Sequence, residues 1–429
     1  MPTNKFFSTL LKFIAGAVLI FIPLYPKFPL FFLPSSTVAV RAEDFLLLIS
    51  GITLIFYLYK NTLFKKIPLF LPLACLFLVG LLSSLSAVLI TQNISKTLVF
   101  LHFFRRFEYL FVFYLFFFAA KESYENRRFL FELMVAPFLG VFGYGLAQIY
   151  LKAPVISTMN MESSKGIALT LQPGVQLSST FAGHYDLAIY LAMLVIIFFT
   201  SFCLVKKNSW RVVILTADLL AVWLFMRAGS RIGILGLVAT LVIMSFLLKK
   251  LRFGAIFILI VLGMMFTSSN LLMRMNNLLN VIKLSSYSIV PSVLAIEDRA
   301  IQADRSTSIR LDVEWPNAIR ALIKNPLLGT GYSSLGLATD SDYLRSLGET
   351  GLMGFAALAL FLIGIGKGLI RSYKQKLGTI DQIIVTSTLG IFIFYLICAL
   401  FLDVFESSKI AILFWSYCGI SFGIYSKKA

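Results

Sequence analysis

Charged residues are scarce in this sequence. They make up 14% of its 429 residues, whereas hydrophobic residues make up 59%. Soluble domains usually carry about 25% charged residues, so this scarcity excludes an ordinary soluble domain. Acidic residues are rarer than basic ones, and the formal net charge is +18. The basic residues lie in short clusters between apolar runs, as the positive-inside rule requires of a membrane protein, so nucleic acid is not an expected partner.

Several motifs of soluble enzymes are absent as well. The sequence contains no Walker phosphate loop, no paired-histidine metal site and no nucleophile elbow. The four cysteines, Cys75, Cys203, Cys398 and Cys418, lie in apolar runs without metal-ligand spacing. They are predicted to be small buried hydrophobic residues. No cofactor and no metal site are expected.

Long apolar runs are what the sequence has instead. A helix needs about 20 apolar residues to cross a bilayer. The first run contains Pro23 and ends near Pro26, where a signal peptide would have a small-residue cleavage site, so it is predicted to stay attached. About twelve runs are long enough to span, at about 7–25, 42–59, 67–90, 99–120, 129–151, 184–205, 210–228, 231–249, 252–273, 349–371, 380–402 and 408–426.

The basic clusters predict the orientation of these runs. With the N-terminus inside, every inner loop contains lysine or arginine, and both termini are predicted to be cytoplasmic. The chain is therefore predicted to be one all-α integral membrane domain over residues 1–429. Its smaller outer loop would cover 152–183 and its large outer loop 274–348, and long loops are where function concentrates.

The longest polar region runs from Ser306 to Gly354. Pro316 fits the first turn of a helix, and the residue before Pro326 should end that helix. Glycines at 329 and 331 permit a tight turn. This region of the large outer loop is predicted to carry the active site.

A second helix is predicted to follow the glycine turn. Thr339 and Asp342 have the spacing of a capping box just before an apolar run. That arrangement would place Asp340 at a helix start, on the outer surface of the membrane.

The same region resembles the signature of the O-antigen ligase and polymerase superfamily. The family pattern is an arginine, a tryptophan shortly after it, P-L-x-G-x-G, H-N-x-Y-L or D-N-x-Y-L, and E-x-G-x-x-G. Residues 179–184 and 229–233 match two further pieces of the family. The residues that match the main pattern are Arg310, Trp315, Pro326, Leu327, Gly329, Gly331, Asp340, Tyr343, Leu344, Glu349, Gly351 and Gly354.

The resemblance implies a glycosyltransferase of the bacterial plasma (inner) membrane. Such an enzyme transfers or polymerises glycan from a polyprenyl-pyrophosphate-linked oligosaccharide on the extracytoplasmic face. Its partners would be that donor, an acceptor glycan or glycolipid, and the lipid bilayer. Ligases of the family typically carry histidine where this chain has Asp340, and the asparagine that follows in the family pattern is Ser341 here. Aspartate resembles the polymerase branch, and the choice between ligase and polymerase stays open.

Arginines on the outer side predict a pyrophosphate site. Arg227 and Arg231 flank a short outer loop, against the charge rule, and Arg310 lies on the same predicted side. Arginine offers a planar, permanently charged fork to phosphate. Cations placed there would stabilise the charge that grows on the leaving group.

Asp340 is the predicted catalytic base, because a sugar hydroxyl must lose its proton as it attacks. Nearby arginines should favour the ionised carboxylate. Its alternative role is a helix cap. The Asp340-Ser341-Asp342 pattern also occurs in metal-dependent sugar-nucleotide transferases, but no predicted strand precedes it, so a metal-independent enzyme is expected.

Other polar residues are expected to contact substrate. His184 could instead be a structural hydrogen-bonding residue, and Glu349 could orient an arginine. Arg105 and Arg106 are expected to extend to the interface, with Glu108 as a partner. The further possible substrate contacts are His184, Tyr332, Asp342, Tyr343, Arg345 and Glu349.

Two other classes of protein compete with the transferase. A lipid-linked oligosaccharide flippase, or another polysaccharide transporter, would also use many spans and phosphate-binding arginines. It should carry charge near the middle of the membrane, whereas Asp218 is the main mid-span charge here. A scaffold without activity would not need clustered outer arginines.

Overall fold

The computed structural model describes residues 5–32, 39–63, 67–92, 94–155, 169–170, 176–268, 271–272, 309–336 and 338–425. Within these ranges the chain is mostly helical, as predicted. The helices are α1 (Lys5–Leu24), α2 (Ala42–Lys60), α3 (Phe70–Ser86), α4 (Lys96–Glu122), α5 (Tyr124–Val135), α6 (Phe138–Tyr150), α7 (His184–Leu204), α8 (Asn208–Ala228), α9 (Arg231–Leu247), α10 (Leu251–Met265), α11 (Trp315–Lys324), α12 (Asp342–Tyr373), α13 (Thr379–Cys398) and α14 (Ser408–Tyr425).

Short strands and two π-helical turns complete the described elements. Strands β1 (Pro29–Phe32) and β2 (Ala39–Arg41) pair antiparallel, and so do β3 (Pro154–Val155) and β4 (Leu169–Thr170). The π turns are Ala87–Thr91, which extends α3, and Arg310–Glu314, which leads into α11. Residues 274–308 and 337 of the large outer loop, and 156–168 and 171–175 of the smaller one, lie outside the described residues.

The helices confirm a multi-pass membrane protein. In the described residues, eight helical segments are long and apolar enough to cross a bilayer, and α9, α10 and α14 are shorter apolar helices. The predicted run 129–151 contains a break, because Pro137 separates α5 from α6. The predicted run 349–371 lies within α12, which starts at Asp342 as the predicted second helix and continues through a break at Gly351. The number of about twelve spans stays a prediction.

Helix α7 lies at the centre of the bundle. Every residue from 187 to 201 is buried, and 89% of its most apolar segment is enclosed by protein. A helix that is hydrophobic on all sides belongs in such a core. Helices at the periphery instead leave large apolar side chains exposed, such as Leu48 on α2 and Leu235 on α9, which suits contact with lipid.

Two glycines bring α14 against α4. A Cβ atom on Gly419 would lie 2.3 Å from the carbonyl oxygen of Phe113, and one on Gly423 would lie 2.8 Å from that of Phe117. Small residues four positions apart let two membrane helices approach closely, which is how helices gain packing energy in lipid. This contact fixes the C-terminal helix against the helix that carries Arg105 and Arg106.

A buried ion pair joins α5 to α13 at the end that the charge rule assigns to the cytoplasm. The guanidinium of Arg127 contacts Asp381 through two parallel hydrogen bonds, Nε to Oδ1 at 2.9 Å and Nη2 to Oδ2 at 3.0 Å. Its third nitrogen, Nη1, donates to the carbonyl oxygens of Ala120 and Ser123. Because every guanidinium nitrogen and both carboxylate oxygens have a hydrogen-bond partner, this pair has a structural role and holds α5 against α13.

Cysteine labelling tests the predicted orientation. Asp312 and Lys374 are exposed and lie on opposite predicted sides. In a background without the native cysteines, Asp312→Cys should react with an impermeant maleimide in cells with a permeabilised outer membrane. Lys374→Cys should react only after the inner membrane is opened. If both positions label from the same side, the orientation is wrong.

Candidate functional site

The glycine turn of the polar region docks on a break in α12. Gly351 has a left-handed φ of 67° in the middle of this helix, so the regular hydrogen bonding stops there. The free backbone groups are taken by residues 326–331. Gly331 N–H donates to Glu349 O at 2.8 Å, and Leu352 N–H donates to Pro326 O at 2.9 Å. The two glycine motifs of the signature are therefore one structural unit.

Close approach explains why glycine is needed in this unit. A Cβ atom on Gly351 would lie 2.4 Å from the carbonyl oxygen of Leu327. One on Gly331 would lie 2.2 Å from the Cβ of Ala87. Real Cβ atoms do not reach such distances, and both glycines also have positive φ, which other residues rarely adopt. The predicted tight turn is present.

Helix α11 forms as predicted. It runs from Trp315 to Lys324 with Pro316 in its first turn, and it ends at Asn325. The Arg310–Glu314 π turn precedes it without interruption. The Trp315 ring lies 6.1 Å from the ring of Phe401. This contact joins α11 to the segment between α13 and α14.

Arg310 and Asp340 form the central ion pair of the site. Arg310 Nη2 lies 2.7 Å from Asp340 Oδ2. The Arg310 side chain is buried, with 7% exposure, whereas that of Asp340 is 26% exposed. Tyr185 at the start of α7 also hydrogen-bonds to Arg310. The pair is therefore anchored on the arginine side and accessible on the carboxylate side.

Asp340 does not cap a helix. The residue before α12 is Ser341, whose Oγ accepts a hydrogen bond from Leu344 N–H at 3.4 Å. The predicted capping box of Thr339 and Asp342 is wrong, because Asp342 Oδ2 accepts from Phe405 N–H at 3.0 Å instead. Because Ser341 caps α12 and Asp342 binds Phe405, the Asp340 carboxylate is not used by the helix terminus. It pairs with Arg310 instead.

Asp403 holds the backbone on which Asp340 sits. Its carboxylate accepts hydrogen bonds from the N–H groups of Thr339 at 2.9 Å, Asp340 at 3.2 Å and Ser341 at 3.2 Å. It also pairs with Arg345, whose Nη2 lies 2.9 Å away. Asp340 itself has a left-handed φ of 49°, an uncommon conformation for a residue other than glycine.

The carboxyl groups here have shifted pKa values. Burial raises the pKa of Asp340 above its ordinary value, and the charge of Arg310 only partly opposes this. Arg310 and Arg345 favour the ionised form of Asp340, as expected, but the effect of burial on its pKa is larger. Burial, with the charges of Asp340 and Asp403, raises the pKa of Glu314 to about 7. A base whose pKa lies nearer neutrality is a stronger proton acceptor at physiological pH.

Asp403 has the opposite shift. Burial alone would raise its pKa, but the guanidinium of Arg345 and the N–H groups of Thr339 and Asp340 outweigh burial and lower it. Asp403 therefore stays ionised while Asp340 can exchange a proton. Two carboxylates whose environments separate their pKa values divide the roles of fixed charge and proton acceptor.

Glu349 orients two arginines. It is almost fully buried, and its two carboxylate oxygens each lie 3.2 Å from an arginine, Arg345 on one side and Arg106 on the other. Arg106 also pairs with Glu406 and lies over the ring of Tyr332, 5.4 Å from its centre. Of the predicted substrate contacts, Glu349, Arg345 and Tyr332 thus belong to the buried framework beneath the site.

The two α4 arginines have carboxylate partners besides the predicted Glu108. Arg105 pairs with Asp44, with Nη2 3.5 Å from Oδ1, and Arg106 pairs with Glu349, so neither depends on Glu108 alone. The cause is the fold, which brings the start of α2 and the break in α12 against α4.

The two remaining predicted contact residues, His184 and Tyr343, have different surroundings. His184 begins α7, and its ring lies 4.1 Å from that of Tyr185, the residue that bonds Arg310. Tyr343 instead donates its hydroxyl to Leu396 O at 2.9 Å. His184 is therefore close to the ion pair, whereas Tyr343 fastens α12 to α13.

Arg227 and Arg231 lie at the same end of the bundle as the Arg310–Asp340 pair. They end α8 and begin α9. The start of α9 packs against the end of α13, since a Cβ on Gly236 would lie 3.0 Å from the Sγ of Cys398. Cys398 is the last residue of α13, and the segment that contains Asp403 follows it. Their convergence on one pyrophosphate stays a prediction.

Residues 216–359 match the family model of the O-antigen ligase domain. The resemblance to the O-antigen ligase and polymerase superfamily is confirmed. A search of curated proteins finds no match to the chain. The matched range of the O-antigen ligase domain includes Arg227, Arg231, Arg310 and Asp340, but it ends before Asp403.

Sequence reasoning missed three residues around the O-antigen ligase signature. Asp403 and Glu406 follow a predicted span and resemble ordinary loop residues, so only the fold reveals their partners. Glu314 did leave a signal, since it lies four residues after Arg310 and just before Trp315. One of its carboxylate oxygens, Oε2, is buried and has no hydrogen-bond partner among the described residues.

Proposed function

We propose that the protein is a membrane glycosyltransferase that transfers or polymerises glycan from a polyprenyl-pyrophosphate-linked donor on the extracytoplasmic face. The observation that carries this proposal is the Arg310–Asp340 pair, 2.7 Å apart, within the segment that matches the O-antigen ligase domain. A buried arginine beside an accessible carboxylate supplies the two things that glycosyl transfer needs, a cation for the leaving group and a base for the acceptor.

In this reaction an acceptor hydroxyl oxygen attacks the anomeric carbon of the donor sugar. The bond from that carbon to the pyrophosphate oxygen breaks, and the electron pair leaves with the polyprenyl pyrophosphate. The hydroxyl proton moves to the carboxylate of Asp340. Arg310, with Arg227 and Arg231, stabilises the negative charge that grows on the leaving group.

Unused hydrogen-bond donors support the anion site. The Nε atoms of Arg227 and Arg310 are buried and have no hydrogen-bond partner among the described residues. Buried polar groups almost always have a partner, so these two donors are suited to a ligand. Phosphate oxygens match the fork geometry of arginine.

A transfer assay tests the proposal. The purified protein in detergent would be given a polyprenyl-pyrophosphate-linked oligosaccharide and an acceptor glycan, with and without a chelator. We expect a new glycosidic product and release of polyprenyl pyrophosphate. A flippase needs two membrane sides and would give no product in micelles, so an absence of transfer with every acceptor tried would reject the transferase.

Arg231 is expected to contribute to donor binding through its fork. Arg231→Ala should weaken binding of the lipid pyrophosphate. Arg231→Lys should also weaken it, although less, since it keeps the charge and loses the bidentate geometry. Binding can be measured by the fluorescence of a labelled polyprenyl pyrophosphate, with the exposed Arg128 changed to alanine as the control. Wild-type affinity in Arg231→Ala would remove this residue from the site.

A further inference from the structure

We propose that Asp403 is a positioning residue for catalysis, which holds the backbone of Asp340 so that its carboxylate faces the acceptor. This inference rests on the proposed function, because it assigns Asp403 a role in the same reaction. Asp403 lies between α13 and α14, outside the segment that matches the family model. It does not contact the reacting atoms in this proposal and acts through residues 339–341.

The hydrogen bonds of Asp403 explain the backbone conformation of Asp340. Three successive N–H groups, those of Thr339, Asp340 and Ser341, converge on one carboxylate at 2.9–3.2 Å. A positive φ such as that of Asp340 persists only where the surroundings determine it from several directions. The carboxylate provides that constraint, because only a curved backbone can turn three successive N–H groups toward a single acceptor.

Asp403 is itself fixed in place. Arg345, which is 4% exposed, pairs with it at 2.9 Å and with Glu349 at 3.2 Å. The ends of its segment are held by α12, where Asp342 N–H donates to Ala399 O at 3.0 Å and Asp342 Oδ2 accepts from Phe405 N–H. A carboxylate held this firmly can fix the backbone conformation of residues 339–341.

Asp403 also acts on Asp340 through charge. Three charged groups act on both the Asp340 and the Glu314 carboxyl: Arg310 from the π turn, Arg345 from α12, and Asp403. The charge of Asp340 acts on Glu314 as well. The negative charge of Asp403 raises the pKa of Asp340. Removal of that charge should therefore lower the pKa of Asp340. Since the base works only when deprotonated, the acidic limb of activity would move to lower pH.

The test replaces Asp403 by asparagine in the full-length protein. Asparagine has nearly the same shape as aspartate, but an NH₂ group replaces one of the two carboxylate oxygens. That group cannot accept the hydrogen bonds that the oxygen accepted from the backbone N–H groups or from Arg345. We expect kcat to fall by about 10²-fold, as for other misplaced catalytic groups, with the KM for donor unchanged and the acidic limb of kcat at lower pH. Hydrogen exchange at the amides of residues 339–341 should become faster.

The matched control is Asp381→Asn, which breaks the buried Arg127 pair at the other end of the bundle. It should lower thermal stability without a change in kcat of the folded protein, in its pH limb or in exchange at 339–341. If Asp403→Asn behaves in the same way as this control, Asp403 is only structural. Asp403→Glu adds a second measurement: it keeps the charge, so kcat should fall while the acidic limb stays in place.

The outcome also separates this inference from the proposed function. If Asp340→Asn is inactive and Asp403→Asn resembles Asp381→Asn, only the positioning role fails. If Asp340→Asn keeps its turnover, the proposed base fails, whatever Asp403 does. Amide exchange at 339–341 is measured without substrate, so it reports on Asp403 even in that case. Unchanged exchange in folded Asp403→Asn would overturn the inference.

Discussion

Asp340→Asn is expected to reduce glycan transfer by about 10²–10⁴-fold, the usual contribution of a general base. The amide keeps the size of the carboxylate and can still accept a hydrogen bond from Arg310, so the folded state should be retained. Donor binding should also be retained, because the arginines are unchanged. Transfer and donor binding would both be measured on the purified protein.

The pH dependence gives this prediction a second readout. Burial raises the pKa of Asp340 above the ordinary value, and the base is active only when it is ionised. The wild-type enzyme should therefore lose kcat as the pH falls through a value above about 3.9, the ordinary pKa of aspartate. Residual activity in Asp340→Asn should lack this limb.

Asp312→Asn provides the control for Asp340→Asn. Asp312 lies on the π turn beside Arg310, but it is exposed, so its amide variant should transfer glycan at the wild-type rate. Near-wild-type turnover in Asp340→Asn would exclude Asp340 as the base. Glu314 would then be the next candidate, because its raised pKa of about 7 also suits a proton acceptor. Asp340→His should keep part of the activity if imidazole can serve as the base.

Arg310→Gln is expected to reduce kcat/KM by about 10²–10³-fold, the cost of removing one preorganised donor from a transition-state charge site. Arg310 is buried against Tyr185 and Asp340, so it cannot be replaced by a neighbouring flexible cation. Arg310→Lys keeps the charge without the fork and should recover only part of the loss. Steady-state kinetics with varied donor would measure both variants.

The pH profile distinguishes Arg310 from Asp403. The charge of Arg310 lowers the pKa of Asp340, so Arg310→Gln should raise it and move the acidic limb to higher pH. Asp403→Asn should move the limb in the opposite direction. Arg320→Gln is the control, since this arginine is exposed on α11 and should leave rate and limb unchanged. A limb that stays in place in Arg310→Gln would mean that Asp340 is not the titrating base.

Local patterns in the sequence predicted much of the fold. The bounds of α11 followed from Pro316 and Asn325, and the glycine turn followed from its glycines, because backbone sterics act over a few residues. The predicted apolar runs fall on helices of the described chain. The break at Gly351 was not predicted, because it depends on residues 326–331 docking against α12.

Of the contacts in the candidate site, the sequence indicated mainly those between residues of one stretch. Arg310 and Asp340 were named from the sequence, and the structure brings them into contact. Asp403 was missed because its partners are more than 50 residues away along the chain, and no local pattern marks an acceptor of backbone N–H groups. The α4–α14 contact was missed for a similar reason, since Gly419 and Gly423 are informative only once their partner helix is known.

The position of Asp403 in the chain has a consequence for biosynthesis. The ribosome produces Arg310 and Asp340 well before Asp403, so a nascent chain carries the whole signature before it has the group that shapes it. Activity should therefore be acquired last, when the segment after α13 contacts residues 339–341 and α14 packs against α4. A chain truncated after α13 would still contain the arginines of the signature, yet it would lack the carboxylate that shapes the backbone around Asp340.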